Sequence, residues 1–319
     1  MKQLFLSALF CGASLLGLGQ SRVFKQVAED ISTDMQTIMQ DGALIGYVAF
    51  TKLEQLSEDS FSYKLSIMDE NLNDIGEIKF REANMSLKDV AFENDVLCLS
   101  YLKSDVSGQV YKTRKKFYEA KTSAKSFIYN EFVTLEGKTL DKHTFPVEVD
   151  INYALEKKGG RVAYASLKSN IQAKNIPTKG FAIAYRDNEN SEILVYSQKG
   201  KLEWRKKIYN YENSYLITSS DVIYHLGKKN SIEDPYGGFE LNRYTVTDGK
   251  EAETYKLKDS KGNTLTVNGF EKNPITNIPY IAGRIINKKF SWKYGTGRDY
   301  RKGTYIGVFS LAINGFEKE

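Results

Sequence analysis

Histidine is almost missing from this chain, and with it much of the usual catalytic chemistry. His143 and His225 are the 2 histidines among 319 residues, and neither has a second His or Cys at metal-ligand spacing. A triad hydrolase needs a histidine, a nucleophile and a carboxylate together, and no Gly-x-Ser-x-Gly elbow is present. There is no His-Glu-x-x-His and no complete Gly-x-x-x-x-Gly-Lys-Ser/Thr phosphate loop. Gly295-Thr-Gly297 lacks the third glycine of a dinucleotide fingerprint and opens no evident helix. The expected catalytic residues, metal ligands and cofactors are therefore none.

Cysteine is scarce as well, with 2 in the chain. Cys11 lies in an apolar N-terminal run, so loss of that run leaves Cys98 alone and no intrachain disulfide. Cys98 sits in the strand-like stretch Asp95-Val-Leu-Cys-Leu-Ser-Tyr101 and reads as a small buried apolar residue, not a reactive thiol. A strong charge of one sign is also lacking. A net charge of +5 is too weak to indicate nucleic acid, although it permits attraction to anionic envelope material. After residue 20 no run is apolar enough to cross a membrane.

What is present begins with an address. Lys2 supplies a positive end, Leu4 to Leu18 is mostly apolar, and Gly17-Leu18-Gly19 offers small residues to a signal peptidase. The expectation is a cleaved leader over 1–19, leaving Gln20 first. Bulky Phe10 before Cys11 argues against a lipoprotein site. Val23, Val27, Ile31, Met35 and Ile38 follow helical spacing, so 20–42 reads as an N-terminal segment with a short amphipathic helix. Residues 43–319 read as one β-rich domain.

A tight polar turn recurs through that domain. It appears at Asp69-Glu-Asn-Leu-Asn73, Leu135-Glu-Gly-Lys138, Gln198-Lys-Gly-Lys201, Thr247-Asp-Gly-Lys250 and Ile313-Asn-Gly-Phe316. With Asn71, Gly137, Gly200, Gly249 and Gly315 as markers, the steps are about 66, 63, 49 and 66 residues. Strand-like runs flank every turn. The third unit, for example, reads Arg161–Leu167, Gly180–Tyr185, Glu192–Tyr196 and Lys201–Trp204. Such units predict an all-β, β-propeller-like fold of about five blades, with a twisted sandwich as the rival architecture. Between two strands of the second unit, Lys112 to Lys125 reads as a basic helix with Phe117, Ala120 and Ala124 on one face.

The fifth unit stops one turn after its long strand. Either a strand near Ala43–Phe50 completes it, or the gene product continues; truncation is the expectation, with an exposed edge prone to aggregate. Ser197-x-x-Gly200-x-x-x-Trp204 is similar to propeller signatures but lacks their Asp and their repetition, so Trp204 reads as a packing residue between blades. Asp69-x-Asn71-x-Asn73 begins like a calcium loop. Asp74 then replaces the bend glycine and Phe80 the bidentate carboxylate, which leaves a side-chain-stabilised turn.

Taken together, Gly46-Tyr-Val-Ala-Phe50, Met68-Asp-Glu-Asn-Leu-Asn73, Val96-Leu-Cys-Leu-Ser-Tyr101, Tyr236-Gly-Gly-Phe-Glu-Leu-Asn-Arg-Tyr244 and Tyr280-Ile-Ala-Gly-Arg284 resemble a family of uncharacterised exported proteins of Bacteroidota, a domain of unknown function. The resemblance covers most of the chain beyond the leader. It implies a Gram-negative envelope location, periplasmic, outer-membrane-associated or extracellular, members that run on past residue 319, and no known activity.

One segment mixes charge with aromatics. Lys288, Lys289, Trp292, Lys293, Tyr294, Arg298, Tyr300, Arg301 and Lys302 lie in a Gly-punctuated loop. Aromatic faces stack on sugars, and Lys and Arg pair with acidic groups. Lys289, Trp292, Tyr294, Arg298 and Arg301 are the candidate ligand-binding residues, set against a solvated loop whose aromatics pack on the domain. The expectation is a non-catalytic, exported binding or envelope-associated module for an anionic glycan or envelope polymer. A propeller-type glycoside hydrolase or lyase with two carboxylates in a central funnel is the first alternative, and a structural scaffold the second.

Overall fold

A computed structural model of the chain describes residues 32–40, 42–57, 60–155, 161–167, 171–187, 191–208, 211–229, 238–273, 275–276, 278–286 and 305–313. The leader, the basic and aromatic loop over 288–302 and the Gly315 turn expected from the sequence all lie outside these residues. The described chain is all-β.

Five antiparallel meanders follow one another, and in each the spatial order of strands is the chain order. The first holds β1 (Ser32–Gln40), β2 (Ala43–Ser57), β3 (Ser60–Asp69) and β4 (Asp74–Glu82). The second holds β5 (Met85–Glu93), β6 (Val96–Ser104), β8 (Ser126–Thr134) and β9 (Thr139–Pro146). The third holds β12 (Gln172–Ile176), β13 (Gly180–Arg186), β14 (Ser191–Ser197) and β15 (Leu202–Ile208). The fourth holds β16 (Tyr211–Thr218), β17 (Val222–Lys229), β18 (Phe239–Thr245) and β19 (Glu251–Lys256). The fifth holds β20 (Thr264–Lys272), β21 (Pro279–Ile286) and β22 (Tyr305–Ala312). A three-stranded side sheet pairs β10 (Asp150–Leu155), β11 (Arg161–Ser166) and β7 (Gln109–Val110).

Helix α1 (Arg114–Ser123) begins at Thr113, whose hydroxyl accepts the Lys116 N–H. It buries Phe117 against Ile151 and Ala163 of the side sheet, with Ala120 and Ala124 alongside. Its basic face stays outside, as the spacing predicted.

Three readings of the sequence are corrected here. Ser32–Gln40 is strand, not helix: it pairs with β2 from Ser32↔Lys52 to Gln40↔Ala43. Sheet pairing overrides the helical spacing of Met35 and Ile38, and the β-branched Thr33, Thr37 and Ile38 suit a strand. Arg161–Ser166 belongs to the side sheet, and the third meander opens with β12, whose short polar sequence hid it. Ala43–Phe50 lies inside the first sheet between β1 and β3 and does not complete the last one.

Apolar clusters alternate with the sheets, which explains runs that are apolar on both faces. Along β6, Leu97, Leu99 and Tyr101 join the core shared with the first sheet, while Cys98 and Leu102 join the core shared with the third. Along β13, Phe181, Ile183 and Tyr185 face the second sheet, while Ala182 and Ala184 face the fourth. Full burial of a side chain such as Leu97 or Phe181 contributes about 2 kcal/mol. The first strands also lie against one another in chain order: β1 on β5, β5 on β12, β12 on β16, β16 on β20.

The recurring turn is the joint between neighbours. Gly137, Gly200 and Gly249 have φ of 88°, 88° and 64°, the left-handed region that favours glycine. A hydroxyl at the start of each turn accepts the N–H of the lysine after the glycine: Thr134 from Lys138 at 3.3 Å, Ser197 from Lys201 at 3.2 Å, Thr245 from Lys250 at 3.1 Å. A bulge follows each turn, with Leu140, Glu203 and Ala252 as the extra residues on β9, β15 and β19. Each glycine then sits on the preceding sheet. A Cβ on Gly137 would stand 2.9 Å from the Glu77 carbonyl oxygen, on Gly200 2.5 Å from the Phe132 ring, and on Gly249 2.9 Å from the Trp204 ring.

Candidate functional site

The row of first strands carries the charged residues that sequence reading passed over. Lys88 is the extra residue of a bulge on β5, between the pairs Leu87↔Tyr101 and Asp89↔Ser100. The bulge turns Asp89 toward the third sheet, where its Oδ2 accepts the Ala173 N–H at 2.8 Å and its Oδ1 the Val90 N–H at 3.0 Å. Glu93, four residues further along β5, accepts from Asn175 Nδ2 and from the Thr178 N–H, both at 2.9 Å. Two carboxylates of β5 thus bind backbone and amide groups of and after β12. The sequence shows them only as charge, Asp89 inside the apolar run Leu87–Phe92 and Glu93 just after it.

The next joint uses neutral groups. Gln172 Oε1 accepts the Leu216 N–H at 2.9 Å, its Nε2 donates to the Ser214 carbonyl, and Thr218 Oγ1 donates to the Asn175 carbonyl at 2.5 Å. Charge is alternated along this row. Lys88 is an exposed residue, yet desolvation by the atoms crowded at the bulge lowers its ammonium from the ordinary lysine value, against the pull of Asp34. Burial pushes the Asp89 carboxyl up, against Lys174 and its two backbone hydrogen bonds.

Both histidines serve joints between sheets or strands. His143 Nε2 donates to the Gly200 carbonyl at 2.8 Å and packs among Phe132, Phe145 and Tyr196. His225 is fully buried, and its Nε2 is hydrogen-bonded to Ser214 Oγ. Desolvation pushes it down to about 4, so it is neutral at ordinary pH. Cys98 is wholly buried, and burial pushes its thiol well up, away from reactivity. The Asp69 turn is held by its own side chains: Asp69 accepts from the N–H groups of Asn71 and Asn73 at 2.9 and 2.8 Å and from Asn73 Nδ2 at 2.9 Å.

A cavity of about 540 Å³ opens where the ends of β8, β9 and β13 meet, walled by Phe127, Pro146 and Val147, with Lys125, Glu148 and Asp187 as its charged groups. Close in sequence to it, Arg205 Nη2 donates to both carboxylate oxygens of Glu192 at 2.8 and 2.7 Å, Tyr185 donates to the same carboxylate at 3.0 Å, and Arg205 lies over the Phe145 ring. Lys289, Trp292, Tyr294, Arg298 and Arg301 all lie outside the described residues, so the structure neither gathers nor separates them. Among the described residues no group of three His, Cys, Asp or Glu is placed to hold a metal, and no helix is long and apolar enough to cross a membrane.

Fold and joints together define an all-β protein of consecutive antiparallel sheets. The chain belongs to a family of unknown function, DUF6770, whose profile matches residues 1–213. A search of curated protein sequences finds no match. Solved structures similar to it include an ACO/RPE65 chimera, with TM-score 0.38 and 10% identity over 88% of this chain and 61% of that one. A point mutant of Synechocystis apocarotenoid oxygenase has TM-score 0.37 and 9% identity over 88% and 61%. A puromycin-hydrolyzing peptidase of Mycobacterium tuberculosis has TM-score 0.30 and 10% identity over 76% and 33%. The chain thus spans 61% of the length of the two oxygenase-type structures. At such low TM-scores and identities none of these likenesses carries an argument about this chain.

Proposed function

We propose that the five meanders are successive blades of a β-propeller-like body, first strands innermost, and that this body is a non-catalytic binding module exported to the bacterial envelope. The blade reading is supported by first strands that meet in chain order and by middle sheets apolar on both faces. The binding reading is supported by one observation: both histidines, the buried cysteine and the two β5 carboxylates are committed to packing or to hydrogen bonds between strands and sheets. Asp89 and Glu93 hold the third sheet, His143 holds the Gly200 turn, His225 holds Ser214, and Cys98 is buried.

The ligand in this proposal is an anionic glycan or envelope polymer, taken by the basic and aromatic 288–302 loop; support for this part is compositional. Binding of the full chain to an array of acidic and neutral glycans tests it. The expected result is selective binding to acidic glycans, lost in the double variant Trp292→Ala, Arg298→Ala. Binding that survives the double variant overturns the loop assignment. Hydrolysis of any polysaccharide in a panel, abolished by one carboxylate substitution, overturns the non-catalytic reading in favour of a glycosidase. Recovery of the chain in the cytoplasmic fraction of its host overturns export.

A further inference from the structure

Helix α1 is the only helix among the described residues, and with β7, β10 and β11 it forms an accessory to the second sheet with a core of its own, Val106, Phe117, Ile151, Ala163 and Ala165. Its outside is strongly basic. From Lys112 to Lys125 the chain carries Lys112, Arg114, Lys115, Lys116, Lys121 and Lys125 against Glu119 alone, a net charge of +5 that equals the net charge of all 319 residues. All of these charged residues are exposed. They are not placed for the helix's own benefit. The positive end of a helix dipole favours acids and disfavours cations, yet the first turn holds Arg114, Lys115 and Lys116 and no acid. Lys115 reaches Glu119 at 3.9 Å, Arg114 lies over the Tyr118 ring and donates to its hydroxyl at 3.1 Å, and Lys121 donates to the Ile151 carbonyl at 3.1 Å. The ammonium groups of Lys112, Lys116 and Lys125 make no hydrogen bond or ion pair among the described residues. Like charges held together in this way repel one another, and an anionic partner relieves the repulsion.

We propose that α1 docks the protein on an anionic lipid bilayer, its basic face against the phosphate headgroups. The shape of the face favours a flat surface over a polymer strand: of these cations only Lys125 borders the cavity described above, and the rest stand on the convex outside of a helix. Tyr118, 48% exposed among them, supplies the kind of aromatic side chain that settles at a membrane interface. The apolar face of α1 is packed on the side sheet, so the helix lies on the bilayer without inserting. The attraction is then electrostatic, summed over the Lys and Arg residues and screened by salt. This surface is separate from the 288–302 loop and does not depend on the glycan reading.

The test is co-sedimentation of the full chain with vesicles of neutral phosphatidylcholine, alone and with added anionic phosphatidylglycerol. The expected result is binding to the anionic vesicles at about 0.1 M salt, none to the neutral ones, and release at about 1 M salt. The double variant Lys115→Glu, Lys116→Glu puts acids in the first turn of α1. It is expected to melt no lower than the parent, while its affinity for the anionic vesicles falls about thirtyfold or more. If it fails to fold, Lys116→Gln with Lys125→Gln, which removes two unpaired cations, decides by the same loss. The Trp292→Ala, Arg298→Ala variant is expected to keep vesicle binding, which separates this surface from the loop. No binding to anionic vesicles, equal binding to both compositions, or binding that persists in the folded charge variants overturns the proposal. So does loss of vesicle binding in the Trp292→Ala, Arg298→Ala variant alone. A soluble acidic polysaccharide that strips the parent chain from the vesicles at equal anionic charge also overturns it, since a polymer is then the preferred partner.

Discussion

Trp204 of the third sheet closes over Gly249 of the fourth: its indole Nε1 donates to the Val246 carbonyl at 2.7 Å, and its ring lies where a Gly249 side chain would go. The same joint recurs one sheet earlier with different side chains, Phe132 beneath Gly200 and His143 on its carbonyl. A glycine is required twice at each joint, once for backbone conformation and once for space.

Alanine at these glycines is therefore expected to be costly. Gly249→Ala and Gly200→Ala each combine a left-handed backbone with a clash against a ring, about 2–4 kcal/mol together. Gly262→Ala has φ 76° with nothing within 4 Å of the new Cβ, so it isolates the backbone part, about 1 kcal/mol. Urea unfolding midpoints of the three variants check this. Equal losses in all three would mean that the rings move aside freely.

Trp204→Phe keeps most of the ring contact and removes the indole N–H. The Val246 carbonyl then loses its sheet-to-sheet donor, and the expected loss is about 1 kcal/mol. Trp204→Ala is expected to lose about 3 kcal/mol or more, because the Gly249 turn also loses the surface it rests on. Thermal unfolding of both variants, compared with Gly249→Ala and with the Trp204→Ala, Gly249→Ala pair, measures the coupling.

Glu93→Ala is expected to weaken the joint between the second and third sheets by about 2–3 kcal/mol, since the Thr178 N–H and Asn175 amide lose a charged acceptor at once. Glu93→Gln keeps one acceptor oxygen and is expected to lose about half as much. Hydrogen exchange at Thr178 reports the local effect: it should quicken in both variants and fastest in Glu93→Ala. Unchanged exchange would show that the carboxylate is not what protects that amide.

The meanders were legible because their punctuation is chemical. A hydroxyl residue, a positive-φ glycine and a lysine recur at Thr134–Lys138, Ser197–Lys201 and Thr245–Lys250, and each element has a visible role in the turn. What was hidden lay where pairing overrode local pattern. Ser32–Gln40 carries helical spacing yet is held as a strand by β2, and Gln172–Ile176 has too few apolar residues to announce itself. Asp89 and Glu93 were invisible as joint residues for another reason. A period-two pattern says that a side chain faces in, but not which backbone amide of a distant strand it will meet. The basic and aromatic loop was the most legible candidate site by composition, and it stands on composition alone.

His225 gives the fold a pH dependence with a definite sign. Its imidazole is buried against Ser214 and is held neutral down to about 4, while an unfolded chain protonates it near 6.5. Between those values the unfolded state binds more protons, so stability rises with pH and is lost as pH falls from about 6.5 toward 4. The full effect is at most about 3 kcal/mol. Asp89 has the opposite sign, because its raised carboxyl binds a proton more readily when folded, so stability from that group falls as pH rises above the ordinary carboxyl range. The difference between the parent and His225→Gln isolates the histidine. Urea midpoints from pH 7 to pH 4.5 are expected to fall further in the parent than in His225→Gln, whose amide neither titrates nor needs deprotonation to remain buried. Parallel curves for the two proteins would mean that His225 stays accessible to a proton in the folded state.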